Sequence, residues 1–321
     1  MRRSLLLSGL ASSAAVASAA PVRAQTSDLL VIRVATPGND GNALAFYAQA
    51  LGLFKKYGID AQIQAIRSGG GATILAGIVG KALDVGESDI IGIAAAYEHG
   101  VPMTLLAPSY MFRTGDLTSV IITGRNSGVN TAKDLEGKTI GVTSLGGVGR
   151  LLTTKWLQNN GADLSTIKFV EVPQISMAAA LVRGTIAAAQ DGEPNVTAAG
   201  DDVRVLASTY AAVGKQVQAT AWCASADWAH ANPEAAKRFA AAIHDAAVWA
   251  DDPRNHARSA AILQQWLPFP NGLAEKMHRA YYGQVFDVAA LQPLLDTAVE
   301  LKALPAKIDV RDLISPFARV S

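Results

Sequence analysis

The chain has 321 residues, half of them hydrophobic, with 28 basic and 27 acidic side chains. This balance, without a block of basic residues, argues against nucleic acid as a partner. The single cysteine, Cys223, excludes an internal disulfide and a cysteine-built metal site, and the five histidines show no metal-ligand spacing. We therefore predict no metal site and no cofactor. A chain of this length is too long to fold around one small hydrophobic core, so we expect two lobes.

Residues 1–24 have the pattern of a cleavable export signal. Arg2 and Arg3 form a charged head, residues 5–20 are apolar and small, and Val22-Arg23-Ala24 precedes the expected cut. A transmembrane helix needs about 20 apolar residues, usually bulkier than this run of alanine and serine. The sequence predicts an exported protein whose mature chain begins near Gln25, with the general and the twin-arginine secretion routes both open.

The first hundred residues alternate strands and helices joined by glycine-rich turns. Apolar residues recur at helical spacing between residues 44 and 51, and a strand follows Gly58. The predicted elements are a strand over 29–36, a helix that ends at Gly58, a strand over 60–66, a helix that ends before Gly80, a strand ending at 87–89, and buried elements over 90–97 and 103–107.

A second version of this order begins near Thr118. The predicted elements are strands over 119–123, 138–143, 167–172 and up to 190, a short helical turn over 131–136, and helices over 151–160 and 175–183. Two β-α series with short joints predict two similar lobes, each with a mainly parallel sheet covered on both faces.

The alternation of strand and helix patterns ends at Asn232-Pro233-Glu234, which has the pattern of a helix start. Four helical stretches are predicted, over 233–250, 254–265, 272–282 and 288–302. We expect them to pack on the first lobe, with hinge strands near 115–120 and 218–225. The expected division is lobe 1 over 28–117 and 222–321, and lobe 2 over 118–221.

Five phrases, in order, carry a family resemblance. They occupy residues 48–59, 80–86, 133–142, 193–194 and 232–234. The chain resembles the solute-binding proteins of bacterial ABC importers of the nitrate, sulfonate, bicarbonate and thiamine-precursor group, an NMT1-like family. Members of this family usually carry Gly-x-x-Asp before the strand in each lobe. In this chain the first lobe has one extra residue between Gly80 and Asp84, and the second lobe has Ala187 where aspartate is common.

The resemblance implies a type II periplasmic-binding-protein fold. Such a fold has two α/β lobes, a two-strand hinge and, here, a C-terminal helical segment. It also implies a monomer whose lobes close on a small solute and whose closed form is recognised by an ABC permease in the inner membrane.

Candidate ligand-binding residues lie at predicted strand ends and near the hinge. Glycine-rich turns that open helices can hold an anion. Acidic residues at strand ends fit either an amine or a structural cap, and aromatic residues fit either ligand stacking or core packing. The candidates are Thr36, Gly38, Asn39, Ser68, Gly69, Gly70, Gly71, Glu87, Ser88, Tyr110, Ser144, Gly146, Gly147, Asp191 and Trp222.

The predicted function is capture of a small polar organic solute or anion, of sulfonate or carboxylate type, for delivery to an ABC importer. An amine-bearing thiamine precursor would fit the acidic residues equally. One alternative is an enzyme on the same fold, either desulfinase-like or thiamine-pyrimidine-synthase-like. Cys223 lies too late in the chain for the desulfinase type, and no catalytic motif appears. The other alternative is an exported ligand sensor.

Overall fold

The structure is a computed structural model that describes residues 29–66, 70–268 and 270–319. The predicted export signal and two of the candidate residues, Ser68 and Gly69, lie outside the described residues. Among the described residues, no helix is long and apolar enough to cross a membrane.

The first lobe begins with β-α units. Its elements are β1 (Leu30–Pro37), α1 (Leu44–Ala50), α2 (Leu53–Lys56), β2 (Ile59–Ile66), α3 (Gly70–Val79), β3 (Val85–Asp89), α4 (Ile90–Glu98), β4 (Met103–Pro108) and β5 (Met111–Arg113). The helix predicted up to Gly58 is divided in two, because Gly52 takes a left-handed φ of 70° and ends α1.

The second lobe repeats the β-α series. Its elements are β6 (Ser119–Gly124), β7 (Thr139–Val142), α5 (Val148–Asn159), β8 (Lys168–Glu171), α6 (Met177–Val182), β9 (Ala188–Gly192), α7 (Asn195–Ala199) and β10 (Val203–Ser208). The chain then returns through β11 (Gln216–Gln218) and β12 (Thr220–Ser225), and ends in α8 (Ala226–Ala231), α9 (Pro233–Ala250), α10 (His256–Trp266), α11 (Leu273–Lys276) and α12 (Val288–Glu300).

The two lobes have sheets of the same topology. The first has the strand order β2-β1-β3-β12-β4, and the second has the order β10-β6-β9-β7-β8. Read from its other edge, the second sheet matches the first strand for strand. β12 in the first sheet and β6 in the second are antiparallel to both of their neighbours, and the other pairs are parallel. The prediction of two similar, mainly parallel sheets is therefore confirmed, with one antiparallel strand in each.

The hinge lies earlier than the sequence predicted. β5 pairs antiparallel with β11, with Phe112 opposite Val217, and this ladder is separate from both larger sheets. Residues 119–124 and 220–225 instead belong to the sheets of the lobes, where their apolar side chains are buried on both faces. The predicted hinge strands are therefore wrong in position.

The C-terminal helices pack on the first lobe as predicted, with α9 against α1 and β4. Phe239 of α9 stacks on Phe54 with 5.8 Å between ring centroids. The helix predicted over 272–282 is wrong beyond Lys276, where residues 277–283 are not helical. The Met277 N–H still bonds to the carbonyl of Leu273, but later N–H groups bond to distant partners, since Tyr282 donates to Asp251 and Gly283 donates to the carbonyl of Ser109. Tertiary hydrogen bonds thus replace helical ones here.

Candidate ligand-binding site

The candidate site is the crevice between the lobes. In the first lobe the carboxyl ends of β1 and β3 lead to its wall, and in the second lobe those of β7 and β9 do so. Open α/β sheets bind ligands outside the carboxyl ends of their strands. Besides the hinge, the lobes are joined by a hydrogen bond from the backbone N–H of His278 to Glu193 (3.2 Å) and by a Lys155–Glu300 ion pair (2.6 Å).

Glu87 lies beneath the crevice as part of an internal network. Its side chain is fully buried, and its carboxylate accepts hydrogen bonds from Thr36 Oγ1 (2.8 Å), Asn42 Nδ2 (2.6 Å) and Thr220 Oγ1 (3.0 Å). Burial raises the pKa of Glu87 to about 7. Glu87 and Thr36 therefore direct their polar atoms at each other and at Asn42, which fixes the loop after β1.

Ser88, the next residue of β3, has its polar atom unused. Its side chain is buried, and its Oγ has no hydrogen-bond partner among the described residues. A Cβ at position 71 would lie 2.2 Å from this Oγ, so Gly71 allows the first turn of α3 to lie against β3. The Ser88 hydroxyl is therefore held beside the N-terminus of a ten-residue helix, where backbone N–H groups lack intrahelical partners.

Asp191 is the counterpart of Ser88 in the second lobe. Val34 pairs with Val85 and Ile140 pairs with Ala188, and Ser88 and Asp191 each lie three residues further along β3 and β9.

The Asp191 carboxylate is bonded on one side only. Its Oδ1 accepts from Gly192 N (2.8 Å), Gln174 Nε2 (2.9 Å) and Asn195 Nδ2 (3.4 Å). Within the described part of the chain, its Oδ2 accepts no hydrogen bond. Burial raises the pKa of Asp191 to about 6. At neutral pH the group is mainly a carboxylate with one oxygen available to a donor.

The glycine-rich loop of the second lobe leads into α5. Ser144 and Gly146 are exposed, Gly147 is the residue before α5, and the neighbouring Leu145 N–H donates to Glu171 (2.8 Å). Arg150 donates to the carbonyl of Leu145 (2.9 Å) and lies over the ring of Phe169, so this cation braces the loop.

Gln190 was missed by the sequence reasoning. A Cβ at position 149 would lie 2.2 Å from its Oε1, which puts this amide against the first turn of α5. Gln190 occupies the position in β9 that Glu87 occupies in β3. Alignment of the two repeats, rather than a search for charged residues, is the signal that would have found it.

The turn after β1 supplies the third wall, with Gly38 and Asn39 half-buried. The next residue, Asp40, is buried and forms an ion pair with Arg279 (2.8 Å). Sequence reasoning also missed this pair, because its members are 239 positions apart.

The two aromatic candidates differ in position. Tyr110 lies beside the turn after β1, since a Cβ at position 41 would lie 3.5 Å from its ring and 3.5 Å from Asn39 Oδ1. Tyr110 donates to Asp116 (2.9 Å) and accepts from Thr118 (2.7 Å), which ties the hinge together. Trp222 is fully buried and packs edge-on against Phe239 of α9 at 5.3 Å. Its ring therefore belongs to the helix-covered core, and the structure does not bring it to the crevice.

The described residues contain no group of three histidine, cysteine, aspartate or glutamate side chains that could hold a metal ion. Cys223 is fully buried, and burial raises the pKa of its thiol. A thiol in this state is a poor nucleophile.

This geometry defines a class: a two-lobed α/β protein with a polar crevice and a two-strand hinge. Solved structures of the same fold include the periplasmic aliphatic sulphonate-binding protein SsuA from Escherichia coli, at a TM-score of 0.74 and 19% identity over 89% of this chain and 97% of that one. SsuA from Xanthomonas axonopodis pv. citri bound to MOPS has a TM-score of 0.71 and 19% identity over 90% and 99%. The periplasmic nitrate-binding protein NrtA from Synechocystis PCC 6803 has a TM-score of 0.70 and 19% identity over 89% and 86%.

The predicted periplasmic-binding-protein fold is thus confirmed. The sequence profile of the family described as "NMT1/THI5 like" matches residues 40–255, and the chain belongs to that family. A search of curated proteins finds no significant match.

Proposed function

We propose that this chain is an exported solute-binding protein that captures a small polar organic solute or anion between its lobes and delivers it to an ABC importer. Membership of the NMT1/THI5-like family and the likeness to SsuA and NrtA support the proposal. The observation that carries it is the pair of equivalent polar side chains, Ser88 and Asp191, each with a hydrogen-bonding atom that no described residue uses.

The first lobe suits an acidic head group. The N-terminus of α3 carries a partial positive charge, and the Ser88 hydroxyl beside it can donate one more hydrogen bond. Glycine at position 71 permits close approach. A sulfonate or carboxylate group is therefore the proposed ligand of this half of the crevice.

The second lobe suits a donor. Asp191 offers an oxygen without a partner among the described residues. Gln190 donates through Nε2 to Ser119 Oγ and to the carbonyl of Asp191 (3.4 Å each), and its Oε1 lies beside the start of α5 as a second acceptor. An N–H or O–H group on the solute would satisfy Asp191, so an amine-bearing solute stays within the proposal. The remaining proposed contact residues are Gly38, Asn39, Gly70, Ser144, Gly146 and Gly147.

The location, division and assembly of the protein belong to the same proposal. Export by residues 1–24 would put the mature chain in the periplasm, as a monomer that meets its permease transiently. We place lobe 1 at 28–117 with 222–321 and lobe 2 at 118–221. The strand content supports this division except at Thr220 and Ala221, which begin β12 of the first sheet: that sheet draws on residues 30–108 and 220–225, and the other draws on residues 119–208.

The test is a thermal-shift panel on residues 25–321 with sulfonates, nitrate, bicarbonate, carboxylates and thiamine precursors. A ligand at about 100 times its dissociation constant should stabilise the fold by about 2.7 kcal/mol. A hit recovered unchanged after incubation is the expected result. Turnover of a bound compound, lost in Cys223→Ser, would overturn the proposal in favour of an enzyme.

A further inference from the structure

Residues 277–283, between α11 and α12, form an extended segment that we name the strap. It runs beside the hinge, since Tyr282 pairs antiparallel with Tyr110 and Met111 N donates to the carbonyl of Tyr281 (2.9 Å). The Gly283 N–H donates to the carbonyl of Ser109 (2.8 Å). The strap thus adds a further line of hydrogen bonds along β5, on a different strand edge from β11.

The strap also holds the wall of the crevice in the first lobe. The Arg279 guanidinium donates to Asp40 through Nε (3.0 Å) and Nη2 (2.8 Å), and Ala280 N donates to the other carboxylate oxygen (2.6 Å). Tyr282 donates its hydroxyl to the carbonyl of Asp40, and the Tyr47 hydroxyl donates to its carboxylate (3.2 Å). Asp40 follows Asn39 directly, so the turn after β1 is bound to the strap.

The same strap reaches the second lobe. The backbone N–H of His278 donates to Glu193 Oε1 (3.2 Å), and Glu193 is buried. Glu193 lies two residues after Asp191 and also accepts from Thr197 Oγ1 (2.8 Å) and N (3.1 Å) within its own lobe. Nearby, α11 packs against α7. One short segment therefore connects a wall of the crevice in one lobe to the strand end beneath the crevice in the other.

We propose that the Glu193–His278 hydrogen bond is a latch that favours the closed arrangement of the lobes, with Glu193 as an affinity-determining residue that does not touch the solute. The effect on affinity rests on the proposed function, whereas the effect on lobe closure does not. A hydrogen bond to a buried carboxylate is stronger than a neutral one. If it forms only in the closed state, its loss lowers the closed population and the apparent affinity in proportion.

The test compares Glu193→Ala with two controls. Thr197→Val removes the side-chain hydrogen bond to Glu193 inside the second lobe, leaves the one from the Thr197 N–H, and keeps the latch. His278→Ala keeps the backbone N–H that the latch uses. Spin labels at the exposed positions of Gln49→Cys and Lys168→Cys report the distance between the lobes without ligand, because the native Cys223 is buried. Dissociation of the sulfonate or carboxylate that gives the largest thermal shift in the panel is measured on the same proteins.

We expect Glu193→Ala to lengthen the distance between the lobes and to speed ligand dissociation about tenfold, equivalent to about 1.4 kcal/mol. Both controls should match the parent protein, and Glu193→Gln, which keeps a neutral acceptor, should lie between. An unchanged distance in Glu193→Ala would overturn the latch, as would an equal change in Thr197→Val. The distance is measured without ligand, so a failed search for the solute leaves this test intact.

Discussion

The contact between Gly71 and Ser88 gives the sharpest structural prediction. A Cβ at position 71 would lie 2.2 Å from Ser88 Oγ, 3.1 Å from Ser88 Cβ and 3.3 Å from Ser88 Cα. Protein Cβ atoms essentially never come within 3.0 Å of a heavy atom of a residue that is not a chain neighbour, so Gly71→Ala must displace the hydroxyl or the first turn of α3 by about 0.8 Å or more. Overpacking of this kind costs about 1–3 kcal/mol.

The measurement is a double-mutant cycle by denaturant unfolding. Gly71→Ala alone should lower the free energy of unfolding by about 2 kcal/mol. In a Ser88→Ala background the shortest contact is gone and 3.1 Å remains, so the same change should cost less than half as much. Ligand affinity should fall in Gly71→Ala, because the α3 N-terminus moves away from β3. An equal cost in both backgrounds would refute the close approach of α3 to β3.

Three further predictions follow from buried groups. Arg279→Met leaves the Asp40 carboxylate buried without its cation and should lower the free energy of unfolding in urea by about 3 kcal/mol or more. The double variant Asp40→Asn/Arg279→Met should lose less, and equal losses would contradict the pairing. Burial raises the pKa of Glu87 to about 7, so the folded state holds the proton more tightly than the unfolded chain, and stability from this group is full below about pH 4 and lost as the pH rises through about 7. Glu87→Gln should make the free energy of unfolding depend less steeply on pH between about pH 4.5 and 7, and an unchanged slope would exclude Glu87 as its source. Trp222→Phe should leave ligand affinity unchanged in calorimetry, because the ring packs on Phe239 in the core; a loss of affinity would return Trp222 to the site.

The sequence predicts best where local signals decide the structure. The proline-led start at residue 233 and the stop near residue 250 give α9 with both ends correct, because caps and helical spacing act within one element. The repeated β-α order gives both sheets, since short joints leave few topologies open. The family phrases give the family, which the profile match confirms.

The sequence-based predictions fail where residues far apart in the chain determine the local structure. Residues 277–282 of the strap were predicted as helix, but the N–H groups of Ala280, Tyr282 and Gly283 bond to Asp40, Asp251 and Ser109, which no local pattern reveals. In the candidate site, sequence reasoning found Glu87 and Ser88 together because both end a strand. It could not separate them, since only the alternation of side chains along β3 shows that Glu87 faces Asn42 and Ser88 faces Gly71.

Capture between the lobes requires that one solute contacts both of them. The most direct measurement is the calorimetric dissociation constant of a ligand from the panel for the parent protein, Ser88→Ala and Asp191→Asn. Each substitution alters one lobe only and removes or neutralises a group with an unused hydrogen-bonding atom. We expect weaker binding in both variants, with the Asp191 effect fading below about pH 6 as the carboxylate takes up its proton. Binding that neither variant alters, or that only one lobe's variant alters, would contradict capture between the lobes.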